Sequence, residues 1–183
     1  MLKRYCLLFA CLCSPSVQSG EVIKSAVSYE HDIYHATIEM HINAKTDKVY
    51  ALFTDFNYLS RLNDNISNSD LIDEDPPEYT VLVESRNCVL FFCKNLKQLQ
   101  KVTELGEGYI FVEDIKGESD FAFANSRWHI YAHGSGTRVR FSSEMKPDFW
   151  LPPLFGPWLF KNQLTKETQT MIERLEQLAT HEQ

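Results

Sequence analysis

The C-terminal stretch 147–179 constrains this chain more than any other. It opens as PDFWLPPLFGPWLF and continues as KNQLTKETQTMIERLEQLA. In the second part Leu164, Thr168, Met171, Leu175 and Leu178 recur at steps of three or four, the spacing of one helical face. Lys166, Glu173, Arg174 and Gln177 take the other sides. Pro157 suits a first helical turn, where a missing N–H costs nothing. A helix of this length with one narrow apolar stripe must lay that stripe on an apolar surface, because isolated helicity is marginal in water. The upstream chain reads as the strands that receive it. The predicted architecture is α+β: a curved antiparallel sheet of about seven strands gripping one long helix, with a cavity between them.

The first 19 residues read as a leader. Lys3 and Arg4 precede the apolar run Tyr5 to Cys13, Pro15 ends it, and Val17-Gln18-Ser19 offers small residues where a signal peptidase cuts. The predicted cut follows Ser19, which makes the mature protein secreted or periplasmic. A membrane anchor is the alternative, but the run is far short of the ~20 residues of a spanning helix. Residues 20–32 read as an extended lead-in and residues 33–180 as one domain, a length that can bury a core. Losing Lys3 and Arg4 takes the formal charge from −7 toward −9, which argues against a nucleic-acid partner.

Ile33 to Ile42 alternates cleanly, with Tyr34, Ala36, Ile38, Met40 and Ile42 on one face and His35, Thr37, Glu39 and His41 on the other. This is a half-buried strand. Three ligands along it span roughly 20 Å at ~3.3 Å per residue, too far for one metal ion. Thr46 is placed to cap a short helix with Val49, Tyr50, Leu52 and Phe53, and Asp55 or Asn57 to open a second with Phe56, Tyr58, Leu59 and Leu62. Turns at Asp75–Glu78, Gly106–Gly108, Lys116–Ser119 and His133–Gly136 then separate the strands of a meander.

Cys88-Val-Leu-Phe-Phe-Cys93 interrupts this pattern. On one straight strand the cysteines would lie ~17 Å apart. A disulfide needs Cα atoms within about 7 Å, so it forms only if the chain reverses between them. Tyr79–Arg86 and Lys94–Leu105 fit that reversal as a hairpin closed by the disulfide at its tip. Two reduced core thiols are the competing reading. The tip displays Val89, Leu90, Phe91 and Phe92, enough apolar surface to cover a cavity mouth or to touch a membrane or partner.

Three stretches resemble the START-like, helix-grip (SRPBCC) superfamily of polyketide cyclases, coenzyme Q-binding proteins and lipid-transfer domains. Ala44–Leu59, with Asp55-Phe-Asn-Tyr58-Leu59, is similar to its first helix and the junction after it. Gly136-Thr-Arg-Val-Arg-Phe141 is similar to its penultimate strand, and Pro152–Ala179 to its closing helix. The resemblance covers about residues 33–179. A leader and a cysteine pair depart from the superfamily's mostly intracellular pattern. The resemblance implies a tunnel holding an apolar molecule such as a lipid, quinone or polyketide.

The residues placed around that tunnel are Phe53, Tyr58, Phe91, Phe92, Tyr109, Phe111, Glu113, Trp128, Trp150, Phe155, Trp158, Leu164 and Met171. The same rings serve equally as core filler. Glu113, read on one face with Tyr109, Phe111 and Ile115, is the candidate interior acid. Arg127 and His129 oppose Trp128 and Ile130 and are predicted to point outward. No nucleophile elbow, phosphate loop, zinc-spaced His/Cys set or cofactor motif appears, and no feature specifies an oligomer. The leading expectation is an exported carrier of a hydrophobic small molecule. A cyclase- or hydrolase-like enzyme using Glu113 and an interaction module using the hairpin tip are the alternatives.

Overall fold

The computed structural model describes residues 19–89, 92–149 and 156–181. Residues 1–18 of the predicted leader and the residues Phe91, Trp150 and Phe155 lie outside them. Eight strands form one antiparallel sheet: β1 (Glu21–Glu30), β2 (Ile33–Ile42), β3 (Ile66–Asp75), β4 (Glu78–Val89), β5 (Phe92–Gly106), β6 (Tyr109–Asp114), β7 (Phe121–His133) and β8 (Gly136–Pro147). The order across the sheet is β1-β2-β8-β7-β6-β5-β4-β3. Among the described residues two helices complete the fold, α1 (Thr46–Phe53) and α2 (Pro157–His181), and a 3-10 turn at Phe56–Arg61 follows α1. Among the described residues no helix is long and apolar enough to cross a membrane.

The eighth strand is the difference from the predicted count. The stretch read as an extended lead-in is β1, which pairs with β2 along its whole length from Glu21↔His41 to Glu30↔Ile33. As an edge strand it buries little, so its sequence lacks a sustained alternation. The chain then crosses from β2 to β3 through α1, and β3 to β8 run as a meander, so that β8 closes back on β2. Gly108 makes one of the tight turns possible. It has φ +78°, and a Cβ there would stand 2.0 Å from the Ile130 carbonyl oxygen.

The core lies between the concave sheet face and the helices. Met40, Ile42, Val49, Val81, Val139, Ile172 and Leu175 are all buried in it. On α2 the predicted stripe is the buried one, with Ile172 added to it; Thr168 is 4% exposed and turns its hydroxyl back to the Leu164 carbonyl at 2.7 Å. Thr46 does not cap α1. It is the first helical residue, and its hydroxyl instead lies 3.1 Å from that of Thr137 on β8.

The β4–β5 hairpin carries the cysteine pair. Cys88 lies opposite Cys93, with Cα atoms 4.0 Å apart and the sulfurs bonded. The chain reverses between them, as disulfide geometry requires.

Candidate functional site

Strand register decides which side chains face α2. On β6, Ile110 lies opposite Trp128 and Val112 opposite Ser126. Ile110 is buried at 5% exposure. The inner face is therefore Ile110, Val112 and Asp114. Tyr109, Phe111 and Glu113 lie on the outer face, which corrects their predicted placement. Tyr109 stacks on His129 at 3.8 Å between ring centroids, and the Arg127 guanidinium lies 5.2 Å from the Phe111 ring. The physical reason is that both alternating sets of β6 are apolar, and a shift of one residue exchanges the faces. An enzyme reading built on Glu113 has no interior acid in that residue. The carboxyl that lines the first cavity is Asp114, and Glu167 lines the second.

A cavity of about 330 Å³ opens over this inner face. Phe53 of α1, Trp128 and Phe141 of the sheet and Met171 of α2 wall it with apolar surface. The Trp128 ring is held between Phe53 at 5.2 Å and Phe141 at 4.3 Å. Set into this lining is a polar group: Gln98 and Gln100 of β5, Asp114 of β6, Ser126 of β7 and Ser143 of β8. Gln98 Nε2 donates to both Asp114 carboxylate oxygens at 3.1 Å, and Gln100 Nε2 donates to Oδ1 at 3.3 Å. Burial pushes the Asp114 carboxyl above its ordinary value, and hydrogen bonds from Gln98, Gln100 and Ser119 hold it back in part. Ser143 is 6% exposed, and its hydroxyl oxygen has no hydrogen-bond partner.

A second cavity of about 290 Å³ shares Gln98, Ala124 and Met145 with the first. It runs toward the disulfide hairpin and is lined there by Cys88, Lys94, Phe149 and Phe160. Phe160 meets Tyr34 edge-on at 5.6 Å, and Lys94 Nζ lies 5.1 Å from the centre of the Phe149 ring.

No protein-family model matches the chain, and no curated protein matches it in sequence. Solved structures match it in shape. A START superfamily protein from Mycobacterium smegmatis superposes with a TM-score of 0.64 at 16% identity, over 80% of this chain and 98% of that one. A STAR-related lipid transfer protein from Xanthomonas axonopodis gives 0.64 at 16% identity, over 89% and 99%. The Zhui aromatase/cyclase from Streptomyces gives 0.64 at 9% identity, over 81% and 94%. The fold is START-like.

Within this START-like frame the sequence-predicted residues divide. Phe53, Trp128 and Met171 meet at the first cavity, and Leu164 and Cys88 line the second. Tyr58 does not join them. It is 57% exposed, with the Arg61 guanidinium 4.8 Å from its ring. Trp158 is 73% exposed, because it precedes Leu164 by six residues and falls about one-third of a turn, ~120°, round the helix from it. Phe92 belongs to β5, and its side chain lies outside the described residues. On the outer face of β2, Glu39 is held by Arg138 at 2.8 Å and Arg140 at 3.7 Å, and His35 faces Glu144 at 3.5 Å.

The polar cluster was missed, although alternation carried a signal for it. Val139, Phe141, Ser143 and Met145 share one parity on β8, as do Leu96, Gln98, Gln100 and Val102 on β5. Polar residues that interrupt an inward apolar series are the mark of a lined cavity rather than a filled core.

Proposed function

We propose that this protein is an exported carrier that holds a hydrophobic small molecule, of lipid, quinone or polyketide type, between its sheet and α2. The observation that carries the reading is the pair of adjoining cavities of about 330 and 290 Å³ with largely apolar walls. Close-packed interiors leave few voids larger than a water molecule, whereas small-molecule sites run from ~300 to ~1,000 Å³. The aromatic rings Phe53, Trp128 and Phe141 wall the space instead of filling it. The printed roles of two START-like neighbours, lipid transfer and aromatase/cyclase, support a hydrophobic cargo. The leader pattern supports export, and so does the Cys88–Cys93 disulfide, since such bonds persist in oxidising compartments.

Native mass spectrometry of the protein purified from an oxidising compartment, with solvent extraction of its adduct, tests the reading. The expected result is a discrete hydrophobic adduct on a chain that begins at Gly20. A bare mass, together with no binding of the fluorescent hydrophobe N-phenylnaphthylamine, overturns it.

A further inference from the structure

The second cavity has largely apolar walls and a cation set into them. Leu96, Phe121, Met145, Phe160 and Leu164 line it, and Lys94 of β5 lines it near the disulfide. Lys94 is half-buried. Its ammonium lies 5.1 Å from the centre of the Phe149 ring, and Phe149 in turn meets Phe121 edge-on at 6.0 Å.

What Lys94 lacks is a carboxylate. The chain has 25 acidic residues against 18 lysines and arginines, so acids are in surplus. Lys101, Arg138, Lys146 and Arg174 each sit in an ion pair. Among the described residues no carboxylate pairs with Lys94. The undescribed stretches next to Lys94 and Phe149 in sequence, 90–91 and 150–155, contain no acidic side chain. The ring face of Phe149 attracts the ammonium but cannot cancel its charge. A cation that gives up part of its hydration without gaining an anion costs free energy. Glu167 lines the same cavity but is held elsewhere: Gln163, one turn earlier on α2, donates its amide N–H to Oε1 at 2.6 Å.

We infer that the second cavity takes a single-chain amphiphile with one negative charge, its carboxylate head against Lys94 and its tail along Leu96, Met145 and Leu164. The inference rests on the carrier reading and specifies the head group of its cargo. One ammonium balances one charge, so a carboxylate suits it. A doubly charged phosphate monoester would leave excess negative charge in a cavity that also holds Glu167. Because the two cavities share Gln98, Ala124 and Met145, a tail too long for the second would continue toward Trp128 and Phe141 in the first.

Displacement of N-phenylnaphthylamine from the full mature protein distinguishes the head-group site from the carrier. Decanoate, decanol and decylamine share a chain length and differ in head. At mildly alkaline pH the carboxylate and the Lys94 ammonium are both charged. Decanoate is expected to compete about tenfold more strongly than decanol, the low end for a hydrogen bond to a charged group, as suits a half-buried one. Lys94→Met is expected to bring decanoate down to the level of decanol, and Lys94→Arg, which keeps the charge, to preserve the preference. Equal competition by decanoate and decanol in the unmutated protein, or a preference that survives Lys94→Met, overturns the head-group site and leaves the carrier reading standing. Stronger competition by decylamine than by decanoate also overturns it, and gives the head to Glu167. Failure of the reporter itself to bind overturns the carrier reading, and the head-group site with it.

Discussion

The backbone nitrogen of Gly20 donates to Glu176 Oε1 at 2.8 Å. The same oxygen accepts the Asn43 N–H at 2.7 Å, so one carboxylate on α2 ties the start of β1 to the end of β2. Gln169 Nε2 adds a bond to the Gly20 carbonyl at 3.2 Å. Gly20 is buried, and a Cβ on it would stand 2.4 Å from the His41 carbonyl oxygen and 2.7 Å from Ile172. Gly20→Ala is therefore expected to destabilise the protein by about 1–3 kcal/mol through overpacking against backbone. Chemical denaturation checks this, and an unchanged midpoint would show that β1 detaches freely from α2.

The same contact would couple the proposed leader removal to stability. The proposed cut after Ser19 would turn the Gly20 nitrogen, which donates to Glu176, into a chain-terminal ammonium. Glu176→Gln is expected to cost about 1–3 kcal/mol in the mature chain, the range for hydrogen bonds to a charged acceptor. A chain kept uncut carries a neutral amide there and should lose less. Equal losses in the two forms would sink the ammonium pairing, and an intact mass beginning elsewhere than Gly20 would sink the cut site.

Reducing the Cys88–Cys93 bond is a third test. The sequence separation of five closes a small ring, for which the chain-entropy relation gives about 2 kcal/mol. Cys88→Ser with Cys93→Ser should lower the denaturation midpoint by that order. Because Cys88 lines the second cavity, the pair should also weaken reporter binding. Unchanged binding with reduced stability would confine the disulfide to a structural role.

The strands that could be read correctly are those whose two faces differ in polarity. On β2 and β8, Ile38, Met40 and Val139 alternate with Glu39, Arg138 and Arg140, so only one register buries no charge. β6 lacks that contrast: Tyr109 and Phe111 outweigh Ile110 and Val112 in apolar area, so ring size alone points them inward. The structure puts them outside, where Tyr109 finds His129 and Phe111 finds Arg127, because β6 must match Trp128 and Ser126 on β7. Asp114 was hidden by the same one-residue choice. The long helix is legible because its stripe is narrow, whereas the size of Trp158 says nothing of its angle on that helix.

Asp114 gives a pH signature. Its carboxyl is raised in the folded state, so the folded protein holds this proton at pH values where the unfolded chain has released it. The contribution is favourable and fully present below the unfolded value of ~3.9, and is lost as pH rises through the folded value. Asp114→Asn removes this dependence. It should raise the melting temperature near neutral pH, and the gain should vanish as the pH falls below the ordinary aspartate range. A variant destabilised at neutral pH would mean that the charge, rather than the shape, of Asp114 holds Gln98 and Gln100.

Filling the first cavity separates carriage from folding. Met171 lines it from α2, facing the wall that holds Trp128 and Phe141. Met171→Trp adds an aromatic ring where the cargo is proposed to lie. Packing a larger side chain into a closed core costs about 1–3 kcal/mol, but an unfilled cavity offers the space and the cost should fall at or below the lower end. The expected result is a folded protein that no longer binds N-phenylnaphthylamine in the first cavity. Full reporter affinity would place the hydrophobe in the second cavity alone, beneath the disulfide hairpin. A large loss of stability would show that the space is closed by packing in solution.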